Sequence, residues 1–385
     1  MPGPLTGFRV IELGGIGPAP FCGMVLSDMG ADVVRVDRAA AVAADGAPQG
    51  VDVLSAGILS RGRRSVAINL KHPDGLATAL TLTDQADAVI EGFRPGVVER
   101  LGIGPDVCLA RNPRLVYGRI TGWGQGGPLA QAAGHDLNYL ALAGGLAPIG
   151  RRDSPPCPPL NLVADFGGGG LLLATGVLAG LLEAGRSGQG QVVDAAMLDG
   201  AAYLMTMMFE LLGRGAWVEE RESNANDGGA PFYAVYETAD GEYVAIGAME
   251  PQFYRLLLDR LDLEENDLPE QWDRTQWPAT KQRLAEVFRQ RTQKEWCELL
   301  EGSDACFSPV LRMSEAPQHP HNVARRSFEV VDGVVQPAPA PRFTRTPSGV
   351  AGGAPGPGEH TDSVLAAYGL TPARVAELRR SGAVA

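Results

Sequence analysis

The first 200 residues alternate short apolar runs with helix-like stretches, and this alternation constrains the fold more than any other feature of the sequence. Six runs are expected to form β-strands: Arg9–Leu13, Val33–Val36, Ser65–Leu70, Ala88–Glu91, Leu115–Ile120 and Gln191–Asp194. The main helices expected between them are Phe21–Met29, Pro73–Asp84, Pro95–Leu101 and Gly169–Ala184. Strands that alternate with helices favour a mostly parallel sheet with helices on both faces. The sequence therefore predicts a large, doubly wound, Rossmann-like α/β domain.

The pattern changes after residue 200. One apolar helix is expected at Ala201–Leu212, and a polar stretch follows it. Two alternating runs around Ala-Asp-Gly, Phe232–Thr238 and Glu242–Gly247, predict a β-hairpin. Three helices are expected after it: Pro251–Leu263, Ala279–Gln290 and Lys294–Leu300. We therefore predict a large domain at 1–200, a linker at 201–227, a small α+β domain at 228–312, a return linker at 313–335, and a C-terminal segment at 336–385 that rejoins the large domain. Ala39–Gly57 has no clear period and is expected to be a mobile loop.

Charge and cysteine content narrow the class of partner. A net charge of −12 over 385 residues argues against a nucleic-acid surface, which needs a dense basic face. The five cysteines show no C-x-x-C spacing, so neither a zinc site nor a disulfide framework is expected.

No basic region followed by an apolar run opens the chain, and the apolar run Leu171–Leu182 is shorter than the roughly 20 residues of a spanning helix. We expect a cytoplasmic protein that binds neither membrane nor nucleic acid.

The turn after the first strand resembles a dinucleotide fingerprint. Gly15 and Gly17 lie between a strand and a helix, and Asp37 follows about twenty residues later. However, Pro18 and Pro20 remove backbone N–H donors that a pyrophosphate would need. A tight β–α turn is favoured over a nicotinamide or flavin site.

Several arginines lie near the expected strand ends. Each alone is consistent with solvated surface charge, but guanidinium groups at the carboxyl ends of parallel strands match phosphate oxygens. As a group they favour a phosphate-bearing ligand: Arg38, Arg61, Arg63, Arg64, Arg94 and Arg100.

Three ionisable residues are candidates for chemistry. His135 stands between a glycine and an aspartate, and is one of only five histidines. Asp165 precedes the four consecutive glycines 167–170; it suits a helix N-cap, but such glycines also make sense where a ligand lies against backbone. Glu250 opens the helix expected from Pro251, which is its ordinary role. His319 and His321 lack the spacing and partners of a metal site.

Eight segments distributed along the chain resemble the α-methylacyl-CoA racemase branch of the family III CoA transferases. They are GFRVIELGGIGPAPFCGMVLSDMGADVVRVDR, EGFRPGVVERLG, YGRITGWGQGGP, AGHDLNY, NLVADFGGGG, GQVVDAAMLDG, DGGAPFYAVYE and SDACFSPVL. Gly134-His135-Asp136, together with Asp165 and Glu250, places the resemblance on the racemase branch rather than with the transferases.

The resemblance implies a role for each candidate. His135 and Asp165 would be two bases on opposite faces of the substrate α-carbon, Glu250 would orient His135, and the backbone N–H of Asp136 would face the thioester oxygen. The CoA phosphates and adenine would be held by Arg38, Arg94, Arg100 and the backbone around Ile68. The methionine-rich stretch Met197–Met208 would contribute an adaptable surface for the acyl chain. An interlocked homodimer is also implied, with no cofactor or metal beyond the coenzyme A that the substrate carries.

The chemistry agrees with these roles. Racemisation at an α-carbon requires two groups that both accept and give a proton, and donors aimed at the developing enolate oxygen. The alternative is a CoA transferase in which Asp165 is the nucleophile. A non-catalytic acyl-CoA-binding protein is disfavoured because all three candidate catalytic groups are present. Whether the acyl chain is bile-acid-like, branched fatty or polyketide-derived stays open.

Overall fold

The structure, a computed structural model, describes residues 3–42, 57–263 and 268–385, and the chain divides into two units. The first unit contains Met1–Ala143, Pro159–Leu204 and Ala324–Ala385, and the second contains Gly144–Pro158 and Met205–Val323. Residues 144–158 therefore belong to the second unit, although the sequence placed them within the large domain. Most of the expected linker, 205–227, also belongs to the second unit.

A six-stranded parallel sheet forms the centre of the first unit. Its strands are β1 (Arg9–Leu13), β2 (Asp32–Arg38), β3 (Arg64–Ile68), β4 (Ala88–Glu91), β5 (Val116–Thr121) and β6 (Val192–Ala196). The order is β3-β2-β1-β4-β5-β6, which is the order of a Rossmann fold. Near-continuous burial of the first five strands fits a parallel sheet covered on both faces. The predicted fold class and all six predicted strands are confirmed, with shifts at most of the ends.

The helices of this unit are α1 (Pro18–Asp28), α2 (Ala39–Val42), α3 (Pro73–Asp84), α4 (Val97–Leu101), α5 (Pro105–Arg111), α6 (Asp136–Leu142), α7 (Leu172–Ser187), α8 (Met197–Leu204), α14 (Thr361–Ala367) and α15 (Pro372–Arg380). The sequence did not predict α5, α6 or α14. Of the loop expected at Ala39–Gly57, Ala39–Val42 is α2, and positions 43–56 lie outside the described residues. A hairpin, β10 (Phe328–Val331) with β11 (Val334–Pro337), also belongs to this unit.

The helix expected at Gly169–Ala184 begins earlier and in a different form. Leu162–Leu171 is a π-helix, and α7 continues from it without a break. The combined helix, Leu162–Ser187, is long and apolar enough to cross a membrane by length and composition alone. However, α7 packs against the sheet: a Cβ on Gly118 of β5 would lie 2.9 Å from Val177, and one on Gly180 would lie 2.8 Å from Val116. These contacts place α7 among the core helices of the unit.

The second unit is a small α+β domain. An antiparallel sheet contains β7 (Tyr233–Glu237), β8 (Tyr243–Gly247) and β9 (Phe307–Pro309). The helices are α9 (Thr206–Gly213), α10 (Pro251–Arg260), α11 (Trp277–Phe288) and α12 (Gln293–Leu300), and α13 (Pro320–Arg325) spans its boundary with the first unit. The predicted hairpin and its three following helices are confirmed. The single helix expected at Ala201–Leu212 is wrong, because the chain forms α8 and α9 with Met205 between them.

A network of charges fixes the polar stretch that follows α9. The guanidinium group of Arg221 donates to the backbone oxygens of Ala147, Arg151 and Ser154. The carboxylate of Glu222 accepts from the Arg152 N–H at 2.9 Å and bonds the ammonium of Lys281 at 2.9 Å. These bonds connect the segment 144–158 to the rest of the second unit.

Candidate active site

His135 lies directly before α6, and the local packing sets its position. Its backbone N–H donates to the Asn138 side chain at 3.0 Å, which closes the first turn of the helix. The preceding residue is a glycine by necessity: a Cβ on Gly134 would lie 2.7 Å from the Tyr139 ring and 2.9 Å from Trp123. Tyr139 and Trp123 meet edge to face at 4.8 Å between ring centroids, and the Tyr139 hydroxyl donates to the Gly134 carbonyl. The side chain of His135 itself is exposed.

Asp165 lies in the first turn of the π-helix, so the sequence reading of Asp165 as a cap before an α-helix is wrong. π-helical turns often occur at functional sites because they turn a side chain away from the regular helical direction. The carboxylate of Asp165 is half-buried and accepts from the Asn161 side chain at 3.4 Å. It also faces the turn after β1, since a Cβ on Gly17 would lie 4.0 Å from Asp165 Oδ2.

Packing, mostly between helices, accounts for the glycines that follow Asp165, where the sequence had also suggested a ligand lying against the backbone. A Cβ on Gly168 would lie 2.7 Å from the backbone of both Gly200 and Ala201 in α8. On the other side, a Cβ on Gly170 would lie 2.8 Å from the Pro18 carbonyl at the start of α1. Phe166 adds a ring contact to Phe21 of α1, with 4.8 Å between centroids. The π-helix is therefore held between α1 and α8, which fixes the position of Asp165.

Asp136 connects the helix that follows His135 to the helix that carries Asp165. Its side chain is buried, with 3% exposure, and its Oδ2 accepts the backbone N–H groups of Ala164 and Asp165 at 2.7 Å each. Its own backbone N–H, at the first position of α6, donates to no group within the described ranges. The sequence singled out that N–H but missed the role of the carboxylate, because the partner is 28 residues away.

The electrostatic surroundings of Asp165 favour its protonated form more than water does. Burial raises the pKa of Asp165, and the nearby carboxylate of Asp136 adds to this effect. The amide of Asn161 and the imidazole of His135 act in the opposite direction. Burial also raises the pKa of Tyr139 to about 12, with a further contribution from Asp165 and opposition from Arg94. These mutual influences indicate that the five ionisable groups lie around one region of the first unit.

Three of the six arginines grouped in the sequence pair with carboxylates of the protein, and for the buried Arg61 and Arg63 the assignment to a phosphate-binding set is wrong. Arg63 is fully buried against Glu12 at 2.7 Å and also donates to the carbonyls of Leu59 and Pro20. Arg61 is buried against Asp28 at 2.5 Å, and Arg64 pairs with Asp32 at 2.6 Å. The buried guanidinium groups of Arg61 and Arg63 have few donors left for a ligand, whereas Arg64 is half-buried and binds Asp32 alone among the described residues.

The other three arginines are exposed. Arg38 ends β2 and stands in register with Ile68, the buried last residue of β3. Arg94 follows β4, and Arg100 lies in the last turn of α4. A buried bridge supports that region, because Arg119 of β5 binds Glu91 and Glu99 at 2.8 Å each. All three exposed arginines therefore follow the carboxyl ends of strands, where open α/β sheets bind ligands.

Glu250 belongs to the second unit. It is the residue before α10, whose first position is Pro251, and its carbonyl accepts the N–H groups of Phe253 and Tyr254 at 3.0 Å each. Its charge contributes to raising the pKa of Cys306 in the same unit, after the larger effect of burial.

The methionine-rich stretch divides between the units. Met197 is buried in the first unit, where its side chain lies near Gly169. Met205 and Met208 instead line a pocket of about 440 Å³ in the second unit, whose wall is apolar at Phe209, Leu212 and Trp217 and charged at Arg152, Glu219, Glu220 and Arg221. Flexible thioether side chains suit a pocket that accepts apolar groups of varied shape.

Comparison with known proteins gives a consistent result. The family described as CoA-transferase family III matches residues 5–361. The chain is 46% identical to the alpha-methylacyl-CoA racemase of Mus musculus over 377 residues, which is 97% of this chain and 96% of that protein. It is 44% identical to the Homo sapiens protein of the same name over equal shares. A CAIB/BAIF family protein from Brucella suis superimposes with a TM-score of 0.80 at 25% identity, over 96% of this chain and 100% of that one. The chain belongs to CoA-transferase family III.

Proposed function

We propose that this chain is a racemase that inverts the α-carbon of 2-methylacyl-CoA thioesters. The observation that carries the proposal is that Asp136, the residue directly after His135, accepts the backbone N–H of Asp165 at 2.7 Å, which brings His135 and Asp165 to one region of the first unit. Identity of 44–46% over nearly the whole chain to two alpha-methylacyl-CoA racemases supports it. Proton removal from one face and proton return to the other need two such groups.

The proposed reaction proceeds through an enolate. In one direction Asp165 takes the α-proton and protonated His135 returns a proton to the opposite face; in the other direction the two exchange roles. The N–H of Asp136 faces the thioester oxygen, where negative charge develops. A raised pKa suits Asp165, because its carboxyl group must give a proton as readily as it accepts one.

The remaining roles concern binding and orientation. Arg38, Arg94 and Arg100 hold the CoA phosphates, with the backbone around Ile68 close to the adenine. Glu250 orients His135 by a hydrogen bond. We propose that the reaction uses no cofactor beyond the coenzyme A of the substrate, and that the enzyme is cytoplasmic, in keeping with five free cysteines.

A CoA transferase is the second candidate, with Asp165 attacking the thioester. His135 has no evident task in that reaction, which favours the racemase. The two functions are separated by incubating a 2-methylacyl-CoA in heavy water without an acceptor acid. We expect α-deuterium incorporation and loss of chirality. Transfer of CoA to an added carboxylic acid without α-exchange would establish the transferase instead.

Substitution of the bases tests the assignment of roles. His135→Ala and Asp165→Ala should each abolish racemisation, and single-turnover exchange should become one-sided, with each variant favouring the opposite enantiomer. Glu250→Gln should be milder, with a loss of roughly 10²-fold, because it removes only an orienting or acid–base partner. Full activity of either alanine variant would exclude the two-base mechanism.

We also propose that two chains form an interlocked homodimer in which Glu250 serves His135 of the other chain. Exposed apolar side chains support an interface on the first unit: Leu171 and Leu182 lie three turns apart on one face of the π-helix and α7, and Leu204 extends from α8. Leu182 is 74% exposed, and burial of such large apolar side chains against a second chain would contribute to association.

Co-expression of a His135→Ala chain with a Glu250→Ala chain tests this arrangement. Heterodimers would contain one composite site with both residues intact, so they should be more active than either homodimer. Heterodimers that are no more active than the homodimers would show that each site is built within one chain.

A further inference from the structure

The side chain of Asp136 makes an unusual pair of contacts. It is the first residue of α6, yet its carboxylate accepts two N–H groups from the first turn of a different helix, those of Ala164 and Asp165. Helix starts leave such N–H groups without partners within the helix, and a carboxylate satisfies them with short, charge-assisted hydrogen bonds. Both bonds are 2.7 Å long, and the carboxylate is shielded from water at 3% exposure.

These contacts join the two proposed bases through one group. His135 is the residue directly before Asp136, and Asp165 itself donates one of the two N–H groups. We propose that Asp136 is a positioning residue for racemisation. Its carboxylate fixes the separation of His135 and Asp165 and places one negative charge beside Asp165. This inference rests on the proposed racemase function, because it concerns how that site is held.

The second oxygen of the same carboxylate supports an electrostatic role. Asp136 Oδ1 is buried and has no hydrogen-bond partner among the described residues. No protein donor in the described residues neutralises this oxygen, so the negative charge of the carboxylate can act on its neighbour Asp165. A negative charge beside Asp165 makes that carboxyl a better proton carrier, since it raises the affinity of Asp165 for the proton that it must take from substrate.

The groups that face Asp165 come from each element packed against it. His135, Asp136 and Tyr139 come from α6 and its start, and Asn161 comes from the start of the π-helix. At its contacts with the π-helix, α1 presents proline and aromatic groups and α8 presents glycine and alanine backbone. The charge of Asp136 and the amide of Asn161 therefore act on Asp165 in opposite directions, and both can be removed separately.

Asp136→Asn is the test substitution, because an amide oxygen still accepts N–H groups while the charge is lost. Exchange is measured against pH for the enantiomer whose proton Asp165 removes, which the His135→Ala variant identifies. We expect kcat to fall by about 10- to 100-fold, because a neutral amide oxygen holds the Ala164 and Asp165 N–H groups less firmly than a carboxylate does, and a small misplacement of reacting groups lowers the rate on this scale. The acidic limb of the pH–rate profile, where the rate rises as Asp165 loses its proton, should move to lower pH. The reason is that the pKa of Asp165 falls when the neighbouring charge is removed.

Two further variants keep the outcome decisive. Asn161→Ala removes a group that lowers the pKa of Asp165, so its acidic limb should move to higher pH. Asp106→Asn is the matched control, because it removes an exposed carboxylate in the first turn of α5. It should leave both kcat and the acidic limb of the pH–rate profile unchanged. An acidic limb that stays in place in Asp136→Asn would overturn the inference, whatever happens to kcat. Absence of α-exchange in the unsubstituted enzyme would instead refute the proposed function, which keeps the two failures distinct.

Discussion

The contact between the π-helix and α8 makes a quantitative prediction at Gly168. A Cβ there would lie 2.7 Å from two backbone atoms of α8, and backbone cannot rotate aside as a flexible side chain can. Ordinary contact is restored near 3.5 Å, so the two helices must separate by about 1 Å. Overpacking of this kind lowers the free energy of unfolding by about 1–3 kcal/mol. The higher helix propensity of alanine relative to glycine offsets up to ~1 kcal/mol of that loss. A shift of about 1 Å near reacting groups can lower the rate by roughly 10²-fold.

Gly168→Ala should therefore lower both the free energy of unfolding, measured by urea denaturation, and the rate of α-deuterium exchange. The matched control is Gly185→Ala in α7, where a new Cβ meets no atom within 4 Å. That substitution should stabilise the protein by roughly 0.5–1 kcal/mol and leave exchange unchanged. If Gly168→Ala proved as stable and active as Gly185→Ala, the argument that close packing fixes Asp165 would be refuted.

Two further predictions follow from charged groups. Arg38→Ala should raise KM by about 10- to 100-fold with little change in kcat, because a remote phosphate contact contributes equally to binding of the substrate and the transition state. The control is Arg64→Ala, which should leave KM unchanged because the Arg64 guanidinium is already bound to Asp32. A collapse of kcat in Arg38→Ala would place Arg38 at the chemistry. Although burial opposes ionisation, the Arg152 N–H and the side chains of Arg151 and Lys281 lower the pKa of Glu222 from 4.5 to about 2. The resulting stability is fully present above pH 4.5 and is lost as the pH falls towards 2. Thermal unfolding of Glu222→Gln should thus differ most from the unsubstituted protein above pH 4.5 and converge with it in acid, and a constant difference across that range would contradict the assignment.

The strands were predictable because each is specified by its own apolar run. Ala88–Glu91 and Arg9–Leu13 agree residue for residue, since most of their residues are apolar and buried and the sequence displays this directly. The missed helix α6 is short, and several of its side chains are exposed, so it has little periodicity. Residues 167–170 were harder to interpret, because four glycines indicate close approach without revealing what approaches.

The arginines show a second limit of sequence reasoning. Arg38 and Arg63 both lie near strand ends, but only Arg63 meets a buried carboxylate, that of Glu12, 51 residues away. Asp136 also has a partner far away in the sequence, because its carboxylate accepts the backbone N–H of Asp165, 29 residues later. Partners at such separations are set by the strand order of the sheet, and no local pattern reports them. Local motifs therefore located the candidate bases, but they could not indicate what holds these residues in place.

Asp136 also decides which backbone donors remain available to a substrate. The N–H groups of Ala164 and Asp165 would otherwise compete for any developing negative charge near them, but the Asp136 carboxylate already occupies both. The N–H of Asp136 itself has no acceptor within the described part of the chain. In the proposed racemisation, a thioester oxygen that gains charge is repelled by the Asp136 carboxylate and is held by the backbone N–H of the same residue. Under this proposal, the Asp136 carboxylate occupies the two N–H groups next to Asp165, and its own N–H stays available for the enolate oxygen. The group that accepts the proton and the group that holds the oxyanion would therefore be kept apart.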